Sequence, residues 1–320
     1  MKHDALHPVG NGEKAMNINY KKFAALVAVF IFLSVSESSA LTIVTRFIGG
    51  TPPANTSGGG NLTDIVNTAA RMWESVYADS VTVTLDYGWA SIPDAGNHIA
   101  LGFNEEGNQE IVGMLLFNNN GATPFYLDPT PELNEEYQQS DEEFQDFGGG
   151  LINVARIFRR PTGEAAGYVD LLSVALHEIG HAMGMSVGNH SFALQSTSGI
   201  ILFSDRLPFA GTMAPLASNS TGFIPHFDVL EVAYGCLMSG INADERRLPS
   251  ELDIVANAQV SGYTILSLTP SIESQSFQTR SFTGIWSPIW TRFIGSTQDS
   301  TSKVKSARTV FSPRMLIRYQ

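Results

Sequence analysis

The stretch His177-Glu178-Ile179-Gly180-His181-Ala182-Met183-Gly184 constrains this chain more than any other, because it fixes a helix, its burial and a chemistry together. Residues four apart on a helix lie one above the other, so His177 and His181 offer two ring nitrogens to a single metal ion. Glu178 points to another side of the helix, poorly placed as a third ligand and well placed as general base toward a water. The preceding run, 168–176, is apolar with few breakers and predicts a buried helix, which Gly184 would stop. The plainer alternative is a pair of surface histidines on an ordinary helix, and the apolar setting weighs against it.

A chain of 320 residues with 43% apolar content can bury a sizeable core, as one large domain or two small ones. Its net charge of -12 argues against nucleic acid as a partner and identifies no substrate. The single cysteine, Cys236, excludes an intramolecular disulfide and a site built from several thiolates. Cys236 lies in the apolar stretch 232–238, so it reads as a small buried residue rather than a nucleophile.

Lys21 and Lys22 precede the apolar run 23–33, and Ser38-Ser39-Ala40 follow it. This is the order of a secretory signal peptide cut after Ala40, with Met16 as an alternative start and a retained anchor as the competing reading. Residues 41–45 form a plausible first strand, and 51–60 a loop on composition. Ile65, Ala69, Met72, Trp73 and Val76 fall at helical spacing, predicting a helix with one buried face over 62–77. Period-two alternation predicts a strand at 81–87.

From 89 to 113 periodicity is weak, and 114–117 reads as a short strand before Asn118-Asn119-Asn120-Gly121. The stretch 132–146 carries seven carboxylates and no basic residue, the composition of a solvated acidic loop or helix. Calcium is an alternative there, although EF-hand spacing is absent. Residues 150–158 read as a strand ahead of the histidine helix.

The sequence H-E-I-G-H-A-M-G resembles the metzincin clan of zinc endopeptidases, in which a glycine follows the second histidine by three residues and a third ligand comes next. In most metzincins that ligand stands three residues after the glycine, where this chain has Val187, which cannot bind zinc. Downstream, the segment from His226 through Met238 to Gly240 is similar to leishmanolysin-like metzincins, where an inserted segment precedes the third histidine and a methionine turn follows it. The insertion here would be 185–225, loop-like in composition. Ser250 with Asp253 three residues on marks a helix start, similar to the helix after that turn. The resemblance covers 169–263, and the many disulfides of eukaryotic leishmanolysins are missing, as in a distant, cysteine-poor relative.

The resemblance implies a metzincin-like zincin fold of the α+β class: a twisted mixed sheet, an active-site helix above a cleft and a largely irregular C-terminal part. It implies Zn2+ held by His177, His181 and His226, Glu178 as catalytic base, Met238 packed beneath the metal, and a protein or peptide as substrate. His190 competes as third ligand because it lies nearer in sequence, but loop closure costs only about 0.6 kcal/mol per doubling of length. Asp228 and Asp205 complete the choices. Domain readings are 1–40 signal peptide, 41–270 protease domain and 271–320 basic appendix, with secretion as the destination. Two other classes fit the same residues: an exported binding or surface protein with a structural metal, and a hydrolase of non-peptide amides. Retention of Glu178, which a structural site does not need, speaks for catalysis. Finally, 289–295, I-W-T-R-F-I-G, repeats 43–49, I-V-T-R-F-I-G, with one change, too short a match to mark a domain repeat.

Overall fold

Strand alternation and one all-buried helix organise the chain. The computed structural model describes residues 40–232 and 235–271; the expected leader before Ala40, residues 272–320 and the heptapeptide copy lie outside the described residues. Three strands, β1 (Thr42–Gly49), β2 (Thr82–Ala90) and β4 (Glu110–Asn118), run parallel. β3 (Gly96–Phe103) is antiparallel to β4 and closes one edge, giving the order β1-β2-β4-β3. β2 buries Val83, Leu85, Tyr87 and Trp89, the period-two set that predicts a strand at 81–87. β3 escapes the sequence reading because its residues alternate only between exposed and half-exposed, so apolar contrast is weak.

Helix α1 (Leu62–Glu74) starts where the Asn61 side chain accepts the Asp64 backbone N–H at 2.9 Å. Its buried face carries Ile65, Val66, Ala69, Met72 and Trp73. Trp73 Nε1 donates to the Leu176 carbonyl at 3.0 Å, which locks α1 to α2 (Leu171–Met183), the histidine helix. All thirteen residues of α2 are buried. Such a helix needs no polar face, which is why hydropathy along it stays high right up to His177.

Asp170 caps α2 by accepting the Ser173 N–H at 2.9 Å, and is itself held by a fully buried Arg246 at 2.9 Å. Arg246 also pairs with Asp128, donates to the Leu133 carbonyl and lies 5.1 Å from the Tyr137 ring centre. One guanidinium thereby ties the 128–134 loop to the start of the histidine helix. Asp170 also lies on β8 (Val169–Asp170), which pairs in parallel with β5 (Phe125–Tyr126).

The acidic stretch departs from expectation. Its second part, β6 (Tyr137–Asp146), is a strand antiparallel to β7 (Leu151–Pro161), which in turn pairs with β12 (Glu245–Leu248). Arginines on β7 supply the partners that composition alone does not show: Arg159 to Asp141 at 2.8 Å and Arg156 to Glu142 at 3.2 Å. A calcium reading finds no support among the described residues, where the one cluster of three or more metal-ligating side chains lies elsewhere.

The inserted segment and the part after it are also less irregular than expected. A short helix α3 (His190–Gln195) leads into a three-stranded antiparallel sheet of β9 (Ile200–Leu202), β10 (Met213–Asn219) and β11 (Gly222–Phe227). Its strands are three to seven residues long, with turn residues between them, so composition reads as loop. Helix α4 (Glu251–Ser261) begins with the predicted Ser250–Asp253 capping box and ends at Gly262 in the left-handed region. The described chain is thus α+β, with four sheets and few helices.

Candidate metal centre

Three histidines converge on one point: His177 and His181 from α2, and His226 from β11. His177 Nε2 lies 3.1 Å from His181 Nε2 and 3.1 Å from His226 Nε2. The His177 and His226 rings are nearly parallel, and the His181 ring stands perpendicular to both. His190, by contrast, is exposed at the start of α3, Asp205 is exposed and Val187 faces solvent. Asp228 caps its own turn by accepting the Leu230 N–H. None of these joins the cluster.

The other ring nitrogens decide the tautomers. His177 Nδ1 donates to the Leu237 carbonyl at 2.8 Å, and His181 Nδ1 to the Met185 carbonyl at 2.5 Å. A carbonyl only accepts, so the ring proton sits on Nδ1 and Nε2 carries a bare lone pair. Two bare nitrogens therefore face each other at 3.1 Å. That arrangement is repulsive between neutral rings and suits a shared cation. Tetrahedral zinc with bonds of about 2.0–2.1 Å places its nitrogens roughly 3.3 Å apart, close to the spacing found. Burial, reinforced by neighbouring rings, lowers His177 and His181 to about 3 and puts His226 well below the usual imidazole value. All three thus remain in the neutral, ligating form at any ordinary pH.

Glu178 lies on the neighbouring face of α2. Burial, with the Asp94 carboxylate adding to it, raises its pKa to about 8, while a hydrogen bond from the His98 backbone N–H opposes the rise. Gly96 on β3 permits this approach, since a Cβ there would stand 2.5 Å from Glu178 Oε1. The His98 side chain continues into the interior, its ring stacked 6.1 Å from His181 and its Nε2 2.9 Å from Glu110 Oε1. Burial lowers His98 to about 4 and raises Glu110 to about 9, which disfavours the charged form of each and favours a shared hydrogen bond over an ion pair.

Below α2, Met238 is fully buried in a short 3-10 turn, Leu237–Ser239. A Cβ on Gly180 would stand 2.5 Å from its sulfur, so the glycine between the two histidines lets the methionine seat against the helix. Asp253 holds the turn by accepting the Met238 N–H at 3.0 Å and the Cys236 thiol at 3.1 Å. Arg247 holds it from the other side through the Cys236 and Gly240 carbonyls. Cys236 is buried and its thiol is pushed well up, first by burial and then by Asp253, which leaves it inert as a nucleophile.

Of the predicted site residues, His177, His181 and His226 meet at one place, Glu178 lies buried on the neighbouring face of the same helix against Gly96 and His98 of β3, and Met238 seats against Gly180. Sequence reading misses Asp94, Gly96, His98 and Glu110, and the carbonyls of Met185 and Leu237. His98 stands out only as one of seven histidines; the carbonyls leave no trace in residue type. No protein-family model, curated protein or solved structure matches the chain.

Proposed function

We infer that this chain is an exported zinc-dependent endopeptidase on a metzincin-like, leishmanolysin-like fold. One observation carries the reading: two Nδ1-protonated imidazoles on a helix and a third from β11 aim their Nε2 atoms at a common point, beside a buried glutamate that is no ligand. Zinc in that cluster supplies Lewis acidity, acidifying a water and polarising a scissile carbonyl. His177, His181 and His226 would hold it. Glu178 would accept the water's proton on its carboxylate and pass it to the leaving amine. A basicity lifted toward neutrality by burial suits both halves of that exchange. β3 lies at the sheet edge with Asn97, Ile99 and Leu101 exposed, and an extended peptide would pair there, across the face that carries Glu178.

The test is metal content and proteolysis of the purified protein. One zinc per chain, casein cleavage abolished by a chelator, and a Glu178→Gln variant that keeps the metal and loses cleavage are the expected results. Full cleavage by Glu178→Gln overturns the mechanism. Stoichiometric zinc with no cleavage of any protein substrate moves the chain to the class of exported zinc-binding proteins.

A further inference from the structure

Four Asn-x-Ser/Thr triplets stand in the chain, at Asn55, Asn61, Asn189 and Asn219, and the metal centre uses none of them. In a protein carried across a membrane such a triplet is an acceptor for N-linked sugar, provided that its asparagine lies at the surface. The fold separates the four. Asn189 is buried, caps α3 through Oδ1 and donates its Nδ2 to the Asn108 carbonyl at 2.8 Å. Asn61 caps α1 and donates its Nδ2 to Asp64 at 2.6 Å, while Thr63, which supplies the triplet's hydroxyl, lies inside the helix and accepts the Tyr87 hydroxyl at 3.0 Å. Asn55 donates its Nδ2 to the Gly121 carbonyl at 3.0 Å, and Ser57 of that triplet is drawn into a bridge with Tyr126.

Asn219 is presented differently. It ends β10 and pairs with Gly222, the first residue of β11, which leaves Ser220 and Thr221 as a two-residue turn. Residues 218–223 are all exposed, and a Cβ on Gly222 would meet nothing within 4 Å, so the space around the turn is open. Asn219 Oδ1 accepts two bonds from its own triplet, from the Thr221 N–H at 2.9 Å and from Thr221 Oγ1 at 2.6 Å. Both draw electron density toward the oxygen and make the amide N–H more acidic. Nδ2 itself donates to no group among the described residues.

We propose that Asn219 is a site of N-glycosylation at the tip of the β10–β11 hairpin, which rests on the export half of the functional reading and not on the metal. The donor is an oligosaccharide joined through pyrophosphate to a polyisoprenoid lipid. Nδ2 forms a bond to the anomeric carbon, the bond from that carbon to the phosphate oxygen breaks, lipid pyrophosphate leaves, and the amide proton passes to a carboxylate base of the transferase. The product keeps Oδ1, so both bonds from Thr221 survive. His226 follows Gly222 by four residues of strand, about 13 Å, and a sugar at the turn stands clear of the histidines.

The test treats the purified, folded full chain with a single-subunit oligosaccharyltransferase and the lipid-linked sugar, then locates the added mass by peptide mapping. One glycan on Asn219 is expected. Asn219→Gln and Thr221→Ala should abolish it, and Thr221→Ser should restore it, because the triplet needs a hydroxyl. No glycan, modification at Asn55, Asn61 or Asn189 ahead of Asn219, or undiminished yield in Thr221→Ala overturns the proposal. Expression of the full chain in a secreting yeast separates the site from the export reading. Glycan on Asn219 of protein in the medium supports both, and secreted protein with Asn219 bare overturns the site. Unmodified protein kept in the cytosol that still accepts the glycan once purified supports the site and overturns export.

Discussion

Helix α2 and strand β11 deliver histidines to the same point by opposite means. The helix supplies His177 and His181 from one rigid element, every residue of which is buried, capped at its start by Asp170 and anchored through Arg246. Strand β11 supplies His226 from a six-residue edge strand in which only Phe227 is buried, after a sequence separation of 45 residues from His181. Local geometry therefore brings the first two histidines together, while the third reaches them only when the whole inserted segment folds. The first half of such a site is preorganised by the helix, and the second rests on longer-range folding.

The sharpest way to break that contrast is to remove ligands from each side. His177→Ala and His226→Ala should both lower zinc affinity by more than the 10–100-fold typical of losing an outer-shell partner. His190→Ala should leave affinity nearly intact, because His190 is exposed and apart from the cluster. Competition titration with a chromophoric chelator measures all three. Unchanged affinity in His226→Ala together with a large loss in His190→Ala would move the third ligand and dissolve the contrast.

The same contrast explains what was legible in the sequence. The i, i+4 spacing and the apolar run before it specify a buried helix with two histidines on one face, without reference to anything distant. Ser250 with Asp253, the helical spacing of Ile65 to Trp73 in α1 and the alternation in β2 are equally local, and each gives the element it predicts. His226 is legible only through the resemblance to a family pattern, since no spacing rule connects residue 181 to 226. β3, β6 and the inserted sheet are not legible in the sequence, for a physical reason. Their side chains are stabilised by partners on other strands, such as Arg159 for Asp141, or by backbone pairing that any residue makes. His98 and Glu110 belong to this group, two polar residues that only the sheet's register brings together.

A second test loads the helix side alone. Arg246→Ala leaves Asp128 and Asp170 buried with no cation, a change worth about 3–5 kcal/mol, while the strand that carries His226 is untouched. Urea denaturation of the metal-free protein should show that loss. Arg246→Met, which fills the same space, is expected to leave the two carboxylates equally unpaired and to recover little. A loss below about 1 kcal/mol, the scale of a surface pair, would mean that the guanidinium does not anchor α2.

The smallest effect concerns the neutral pair behind His181. In the folded protein Glu110 holds its proton up to about pH 9, whereas an unfolded glutamate releases it near 4.5. Unfolding therefore releases a proton between those values, and the pair's contribution to stability declines as pH rises from about 5 to 9. His98 acts in the opposite sense and at lower pH: folded, it stays neutral down to about 4, while the unfolded imidazole takes up a proton near 6.5, so stability is lost as pH falls through that window. Glutamine cannot ionise, so Glu110→Gln removes the alkaline decline and keeps the acid one. With metal stripped from both proteins, the stability of Glu110→Gln relative to the parent should rise steadily between pH 5 and pH 9. Glu178, also raised by burial, is present in both and cancels in the difference. A difference that stays flat across this range would show that Glu110 is already ionised in the folded state, and that an ion pair rather than a shared proton supports the helix side of the metal centre.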